Sequence, residues 1–498
     1  MKKETKLVPV MAALILGIFV AALDNTIVAT SMGAIIGDLG GLDKYVWVTS
    51  AYLVAEMAGM PIFGKLSDMY GRKRFYMFGI LLFLVGSILC GFAQSMVQLC
   101  IFRAIQGIGG SALMPIAFTI IWDVVPREMR GKMSGIFGAV FGLSSIIGPL
   151  LGSFITDYIH WRWIFYINIP IGLVALFLII VFYNESKVHV RQNIDWLGAI
   201  FLVIFTVSLM FGLELGGDTY AWDSWQIISL LVVAAVGFAI FMLVEKRVKD
   251  PILPFELFKE RLYTSSALTG MFYGAAFMVS TIYIPLYIQG VTGGTATNSG
   301  LLLLPMMVGT SVGAPIGGAL ANKMSYKQIM VLSGIVMGIG TILLGTLEPS
   351  TPGWQLTIYM VIIGVGVGPS FSVLGMASLQ KALPEQRGIA SSTSNFLRSL
   401  GMTLGITIFG VIQKNNFSAG LPEDIKQNGL GEDSRALLSP ELRSQIPENV
   451  LNQITEVLTN SITTTILWTL VPLGIAYLFI LFMSKEKLAD SNLQQESM

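Results

Sequence analysis

The feature that most constrains this chain is a succession of fourteen mostly apolar stretches, each near the roughly 20 residues that a helix needs to cross a bilayer. They fall at about 8–30, 45–64, 75–93, 97–121, 133–156, 163–183, 196–215, 225–244, 264–289, 299–320, 328–347, 354–378, 390–412 and 462–484. Of the 498 residues 54% are apolar and 12% charged. An average soluble chain carries about 25% charged residues, so a water-soluble fold is excluded. The expectation is an all-α integral membrane protein with fourteen transmembrane helices. The basic start, Met1 to Thr5, resembles a signal peptide, but the apolar run after it is too long and contains Asp24, so it reads as a retained first span.

Charge placement tests the count. Lysine and arginine accumulate in cytoplasmic loops. With the N-terminus inside, 23 of the 31 Lys and Arg fall on inner segments and 6 on outer ones, while Arg103 and Arg398 lie within spans. The short outer loops hold only Lys44 and Arg162. A missed helix would invert the alternation, and it does not invert. Both termini are therefore expected in the cytoplasm. The long outer loop at about 413–461 has soluble composition, and the helical spacing of Val450, Ile454, Val457 and Leu458 suggests a partly helical cap.

The sequence contains a repeat. Pro126-Arg127-Glu128-Met129-Arg130-Gly131 follows the fourth span, and Pro384-Glu385-Gln386-Arg387-Gly388 follows the twelfth. Gly64-Lys65-Leu66-Ser67-Asp68 follows the second, and Gly318-Ala319-Leu320-Ala321-Asn322 follows the tenth. Both pairs fit two six-helix bundles with two helices inserted between them. The expected units are 1–190, a linker pair at 191–250, and 251–498. Parallel repeats of this kind place a site at their interface and expose it alternately to either side.

Deep charges mark candidate functional residues, because ionisable groups inside a membrane are costly. Asp24, beside Asn25, and Arg103 each lie about 9 Å from the outer end of their stretch at 1.5 Å per residue, so they can share a depth. A carboxylate near an arginine in low dielectric responds to water or substrate access, as a proton-coupled carrier requires. A static ion pair is the alternative. Glu56, at the middle of span two with no base nearby in sequence, is a second candidate for a proton or a cationic guest. Arg398 is the one deep charge of the second half. Gly64, Asp68, Gly71 and Arg72 form a turn whose Asp–Arg pair suits a breakable cytoplasmic latch. Gly148, Pro149 and Gly152 permit close approach and bending in span five. Asp123, Asp157 and Glu214 lie near span ends and are expected to reach water.

Other chemistries find little support. The formal net charge of +1 provides no field for nucleic acid. Gly59 to Lys65 spells a nucleotide-loop pattern, but Leu66 stands where Ser or Thr is needed, and the run ends a membrane helix. Cys90 and Cys100 can approach across adjacent spans, though free buried thiols are the favoured reading. His160 and His189 lie in loops, and no metal-ligand or nucleophile–base constellation is evident, so an enzyme is not expected.

At these residues the chain resembles the major facilitator superfamily, in its fourteen-helix drug:proton antiporter branch. Gly64 to Arg74 is similar to the family signature between helices two and three. Leu23-Asp24-Asn25-Thr26-Ile27-Val28 is similar to the first-helix motif of the branch, and Arg103 with Gln106-Gly107 to its proton-coupling motif. The Gly148-Pro149 stretch resembles the fifth-helix antiporter motif, and Trp161 to Pro170, which includes Asn168, also matches. Ser144 and Ser153 replace glycines of that fifth-helix motif, the tenth span lacks the acid of dication exporters, and Glu56 is unusual for the family. The resemblance implies a bacterial cytoplasmic-membrane exporter of amphipathic, monocationic or neutral drugs. Protons would be the coupling ion, with no other cofactor, and the protein would be a monomer in membrane lipid with Asn25, Gln106, Asn168 and Arg398 as cavity polar groups. The rival readings are a carrier of a physiological solute or lipid, and a membrane sensor on a transporter fold.

Overall fold

The computed structural model of the protein describes residues 5–40, 45–185, 194–217, 219–293, 296–422 and 447–488. The expected boundary at 190/191, Lys44, His189 and the middle of the outer loop lie outside them. The first set of helices comprises α1 (Leu7–Leu39), α2 (Tyr45–Tyr70), α3 (Arg72–Phe92), α4 (Met96–Val124), α5 (Arg127–Tyr158), the short α6 (Trp163–Tyr166) and α7 (Asn168–Phe182). Next come α8 (Trp196–Leu215), α9 (Trp225–Glu245) and the short α10 (Phe255–Lys259). The last set comprises α11 (Arg261–Gly290), α12 (Ala296–Leu320), α13 (Tyr326–Leu344), α14 (Gly353–Leu379), α15 (Arg387–Gly420), α16 (Glu448–Trp468) and α17 (Leu470–Phe482). Among the described residues there is no β-strand, only an isolated bridge between Gly216 and Tyr220.

Thirteen spans among the described residues are long and apolar enough to cross a membrane, with α6–α7 and α16–α17 each forming one. The 26-residue α2 is the fourteenth; Glu56, Lys65 and Asp68 dilute its apolar run. Polar caps start several helices where the chain leaves lipid. Ser95 accepts from the Gln98 amide, Ser224 from Ile227, and Ser325 with Gln328 closes a capping box on α13.

Several helices outrun their apolar stretches. α1 reaches Leu39, α5 begins at Arg127 and α15 runs from Arg387 to Gly420. Hydropathy marks the depth of lipid, whereas a helix continues into water wherever its backbone bonds are still satisfied. The helix suggested for Val450, Ile454, Val457 and Leu458 is present as the first turns of α16, which runs on into the last span. Ile454 and Leu458 are buried on α16, Leu458 packs beside Gly290 of α11, and Val457 lies over Gly420.

Helix packing sorts into three groups. α1 to α7 pack on one another, chiefly α2 and α3 on α4 and α1 on α5 and α7. α11 to α17 form a second group around α12–α14 and α11–α15. α8 and α9 pair outside both, and α8 covers the seam where α2 meets α15, with Met210 against Met57 and Phe396. α9 is among the least buried of the described spans and exposes Ile228, Val232, Val236 and Leu243. The groups meet through α5–α12 and α2–α15.

The repeated segments are opposed in space. Gly388 packs on the Gly64 carbonyl beside Asp68, and Gly131 packs on the Gly318 carbonyl beside Asn322. Each post-span arginine–glycine pair therefore rests on the turn motif of the other half.

Candidate functional site

Two polar clusters stand out, one inside the first helix group and one at the face that carries the basic loops. The interior cluster begins with Asp24 on α1 and Arg103 on α4, both 0% exposed and joined in an ion pair. Gln106, one turn along α4 from Arg103, accepts from Arg103 Nη1 at 2.7 Å and donates to Asp24 Oδ1 at 2.8 Å. Asn168 Nδ2, at the start of α7, donates to the same Asp24 oxygen at 3.0 Å. Ser87 Oγ on α3 accepts from both amides, at 2.7 and 3.1 Å. The Val48 carbonyl of α2 takes Arg103 Nε at 3.2 Å. Five helices thus fix one carboxylate. Burial of both charges is tolerable because each is paired and hydrogen-bonded.

Asp24 lies 15 residues before the end of α1, so its equal depth with Arg103 does not follow from the distances to the helix ends. The pairing holds because α1 projects well past the lipid-length stretch. Asn25 points away from the cluster and bonds only to the Ala21 carbonyl of its own helix, at 3.4 Å. Cys90 and Cys100 form no disulfide, and the Cys90 thiol donates to Gln106 Oε1 at 3.7 Å.

Tyr52 connects this cluster to Glu56. The Arg103 guanidinium lies over the Tyr52 ring, 4.3 Å from its centre, and Glu56 is one turn further along α2. Glu56 is close enough to feel the charges of Arg103 and Asp24, yet it keeps accessible surface while Asp24 has none. The two carboxylates therefore differ in what they meet in this conformation.

Gly148 and Gly152 face Thr26 and Thr30 of α1, directly after Asp24, and Pro149 lies between them inside α5. Ser144 also joins this contact, since its hydroxyl approaches the Phe19 carbonyl at 3.4 Å and its carbonyl accepts from Thr26.

At the basic face Gly71, with φ 110°, turns the chain from α2 into α3. Asp68 accepts the Gly388 and Ile389 amides at 2.9 and 3.0 Å, at the N-terminus of α15, where the helix dipole favours a negative charge. Arg72 pairs with Asp68 at 3.3 Å, with Asp123, and with the Pro384 carbonyl. Asp123 also takes Arg387 Nη1 at 2.8 Å. Asp123 had been expected to reach water from a span end. It is exposed there and is also shared by two arginines, because α4 ends beside the start of α15. Sequence reasoning missed Asp123, Arg387 and Ser87. The Arg–Gly repeat was the available signal for Arg387, and nothing marked Ser87.

Asp157 is exposed, as expected. Arg398 lies on α15 away from both clusters. Among the described residues there is no group of three metal-ligating side chains.

The chain matches the Major Facilitator Superfamily over residues 14–406. It is 52% identical over 487 residues to Multidrug resistance protein 3 of Bacillus subtilis, covering 96% of this chain and 95% of that protein. It is 36% identical over 520 residues to the Multidrug transporter protein MdtP of the same organism, covering 99% and 96%. Among solved structures it resembles the human organic anion transporter MFSD10 with a TM-score of 0.60 at 14% identity, covering 93% and 99% of the two chains. That last likeness shows the fold alone.

Proposed function

The chain belongs to the Major Facilitator Superfamily, and from that premise we propose that it is a proton-coupled antiporter exporting amphipathic, toxic compounds from a bacterial cytoplasm. Two relatives named as multidrug proteins, each matched over nearly its whole length, support the compound class. The observation that carries the coupling is the pair of intramembrane carboxylates with different surroundings, one sealed in a five-helix network with an arginine and one half-buried outside that network.

Glu56 meets the cationic or neutral drug or a proton, and it cannot hold both a cation and a proton. A proton on Asp24 removes the charge that holds Arg103 in its ion pair. Arg103, already stacked on Tyr52, then turns toward Glu56 and displaces the cation. Return of the proton to the cytoplasm restores the Asp24–Arg103 pair. The Asp68, Arg72, Asp123 and Arg387 cluster is the cytoplasmic latch, closed in this conformation. Both termini lie in the cytoplasm, and the working unit is the monomer.

The test uses the purified protein in liposomes with a pH-sensitive dye inside, an imposed proton gradient, and a panel of lipophilic monocations and neutral antibiotics. Substrate-triggered proton movement is expected, and it is lost in Asp24→Asn and, for cations, in Glu56→Gln. Wild-type export against a gradient by Asp24→Asn would overturn the coupling role of Asp24.

A further inference from the structure

The inserted pair α8–α9 is the part of the fold that the antiport reading leaves without a role. Its end at the basic face is ionic. Asp195 stands just before α8 and Glu245 closes α9, and an added Cβ at Gly198 would lie 2.2 Å from Asp195 Oδ2 and 3.1 Å from Glu245 Oε1, so the two carboxylates share one pocket. Asp195 Oδ1 accepts the Gly198 amide at 2.8 Å, and Glu245 accepts the Ile252 and Leu253 amides at 3.1 and 3.2 Å. Asp195 Oδ2 is left without a hydrogen bond. Lys65 of α2, one residue past Gly64, brings an ammonium that feels both carboxylates together with Asp68 and Asp250. Lys65, Asp195 and Glu245 are each more than nine-tenths buried. Buried charges of one sign need a cation close by, and here the first half supplies it.

The outer end is different. Gly217, in a left-handed turn at φ 80° against Trp222, presents its carbonyl to Lys414 Nζ of α15 at 3.0 Å. This lysine is exposed, while Gln413 beside it is buried and donates to Ser461 of α16 at 3.2 Å, which fixes that stretch of α15 to the second half. Between the two ends α8 lies in the seam. At the basic face α2 and α15 touch directly, where Gly388 packs on the Gly64 carbonyl. Further out Met210 of α8 joins Met57, Met60 and Phe396 in one cluster, and near the outer end Phe211 meets Trp47 of α2 with ring centres 4.9 Å apart.

The two attachments differ in strength. Separating buried charges is strongly unfavourable, whereas an exposed lysine bond to a carbonyl is readily exchanged for water. We propose that α8 and α9 form a strap across the α2–α15 seam, carried by the first half through Lys65 at its base and releasable from the second half at its tip, where Lys414 holds Gly217. The inserted pair and the first half then move as one body, and the strap covers the outer part of the seam as α2 and α15 change their spacing. Lys65 links the strap to the latch, because it lies between Gly64 and Asp68 on α2. The inference concerns how the helices move and holds whatever compound the protein carries.

The test measures distances between spin labels on the purified full-length protein, with Cys90→Ser and Cys100→Ser removing the native thiols. One label pair, at the exposed Leu243 of α9 and Phe78 of α3, reports the strap against the first half. The other, at the exposed Tyr220 and Ala419, reports its tip against α15. Lys414→Ala should enlarge the longer-distance component of the Tyr220–Ala419 pair about fivefold, as loss of one exposed hydrogen bond allows, and leave the Leu243–Phe78 distribution as in the wild type. Lys65→Met should broaden the Leu243–Phe78 distribution. Adding Glu245→Gln, which relieves the repulsion between the two stranded carboxylates, should narrow it again, and a lysine that only filled space would give no such rescue. Because Lys414 is exposed, the tip measurement stands even where the base variants fold poorly. A Tyr220–Ala419 distribution unmoved by Lys414→Ala, a Leu243–Phe78 distribution unmoved by Lys65→Met, or no rescue by Glu245→Gln overturns the proposal.

Discussion

Arg103 and Arg398 are both arginines deep in long helices, and their surroundings are opposite. Arg103 is fully buried, faces Asp24, and is held by Gln106, the Val48 carbonyl and the Tyr52 ring. Arg398 is half-buried and bonds to one carbonyl. The same contrast runs through the basic face. Asp68 receives two backbone amides and an arginine, while Asn322, its counterpart in the repeat, makes one 3.3 Å bond to the Glu128 carbonyl. The buried ion pair thus lies in the first half, while the pairs within the second half that the structure shows, Lys381 with Glu260 and Glu486, are partly exposed at its edge. Ionic contacts break and remake with a proton or a ligand, whereas small-residue packing sets where helices pivot. On the antiport reading proposed above, switching falls to the buried pair and the latch, and the close-packed glycine contacts set where helices pivot.

The largest expected effect tests the two arginines against each other. Arg103→Met strands a buried carboxylate and should destabilise the purified protein by about 3–5 kcal/mol, read as a fall in thermal midpoint. Arg398→Met strands nothing and should stay within about 1 kcal/mol of wild type. Equal losses in both would break the comparison.

A smaller effect comes from making the latch resemble its copy. Asp68→Asn removes the charge from bonds worth about 1.5–3 kcal/mol. It should enlarge the population open at the basic face about tenfold or more, as measured by distances between spin labels at the ends of α4 and α15. The reciprocal Asn322→Asp should shift that population less than about threefold, since no pair of free amides faces it. A reciprocal shift of equal size would show that the copy is also ionic.

The steric side is probed at Gly131, where an added Cβ would lie 2.2 Å from the Gly318 carbonyl. Gly131→Val should cost the closed state about 1–3 kcal/mol and lengthen the distance between labels on α5 and α12. Unchanged distances would argue against a pivot there. The smallest effect belongs to the opposite face, where Arg162 pairs with Asp38 at 2.8 Å in a largely exposed setting. Arg162→Gln should change stability by no more than about 1 kcal/mol, weakening further in salt. A drop comparable to that of Arg103→Met would mean that ionic control is not confined to the described clusters.

Much of this was readable from the order of residues. The spans follow from local hydropathy, and the deep charges stand out because each is costly wherever it lies in lipid. Asp24, Glu56, Arg103 and Arg398 were visible for that reason, as were Gly64, Asp68, Gly71 and Arg72. Ser87 was invisible because a serine in a membrane helix is ordinary until its neighbours are known. Asp123 does reach water at its span end, but its two arginine partners were invisible because they depend on how α4 sits against α15.

The sequence by itself thus determined how many helices cross, roughly where each meets lipid, and which side chains pay an unusual cost for their depth, because these are properties of each segment alone. Only the tertiary structure decided which of them meet. The rotation and lean of a helix are set by packing against its neighbours rather than by its own hydropathy. That packing gave Asp24 to Arg103, Asp123 to both Arg72 and Arg387, and left Arg398 with an aromatic ring and a carbonyl.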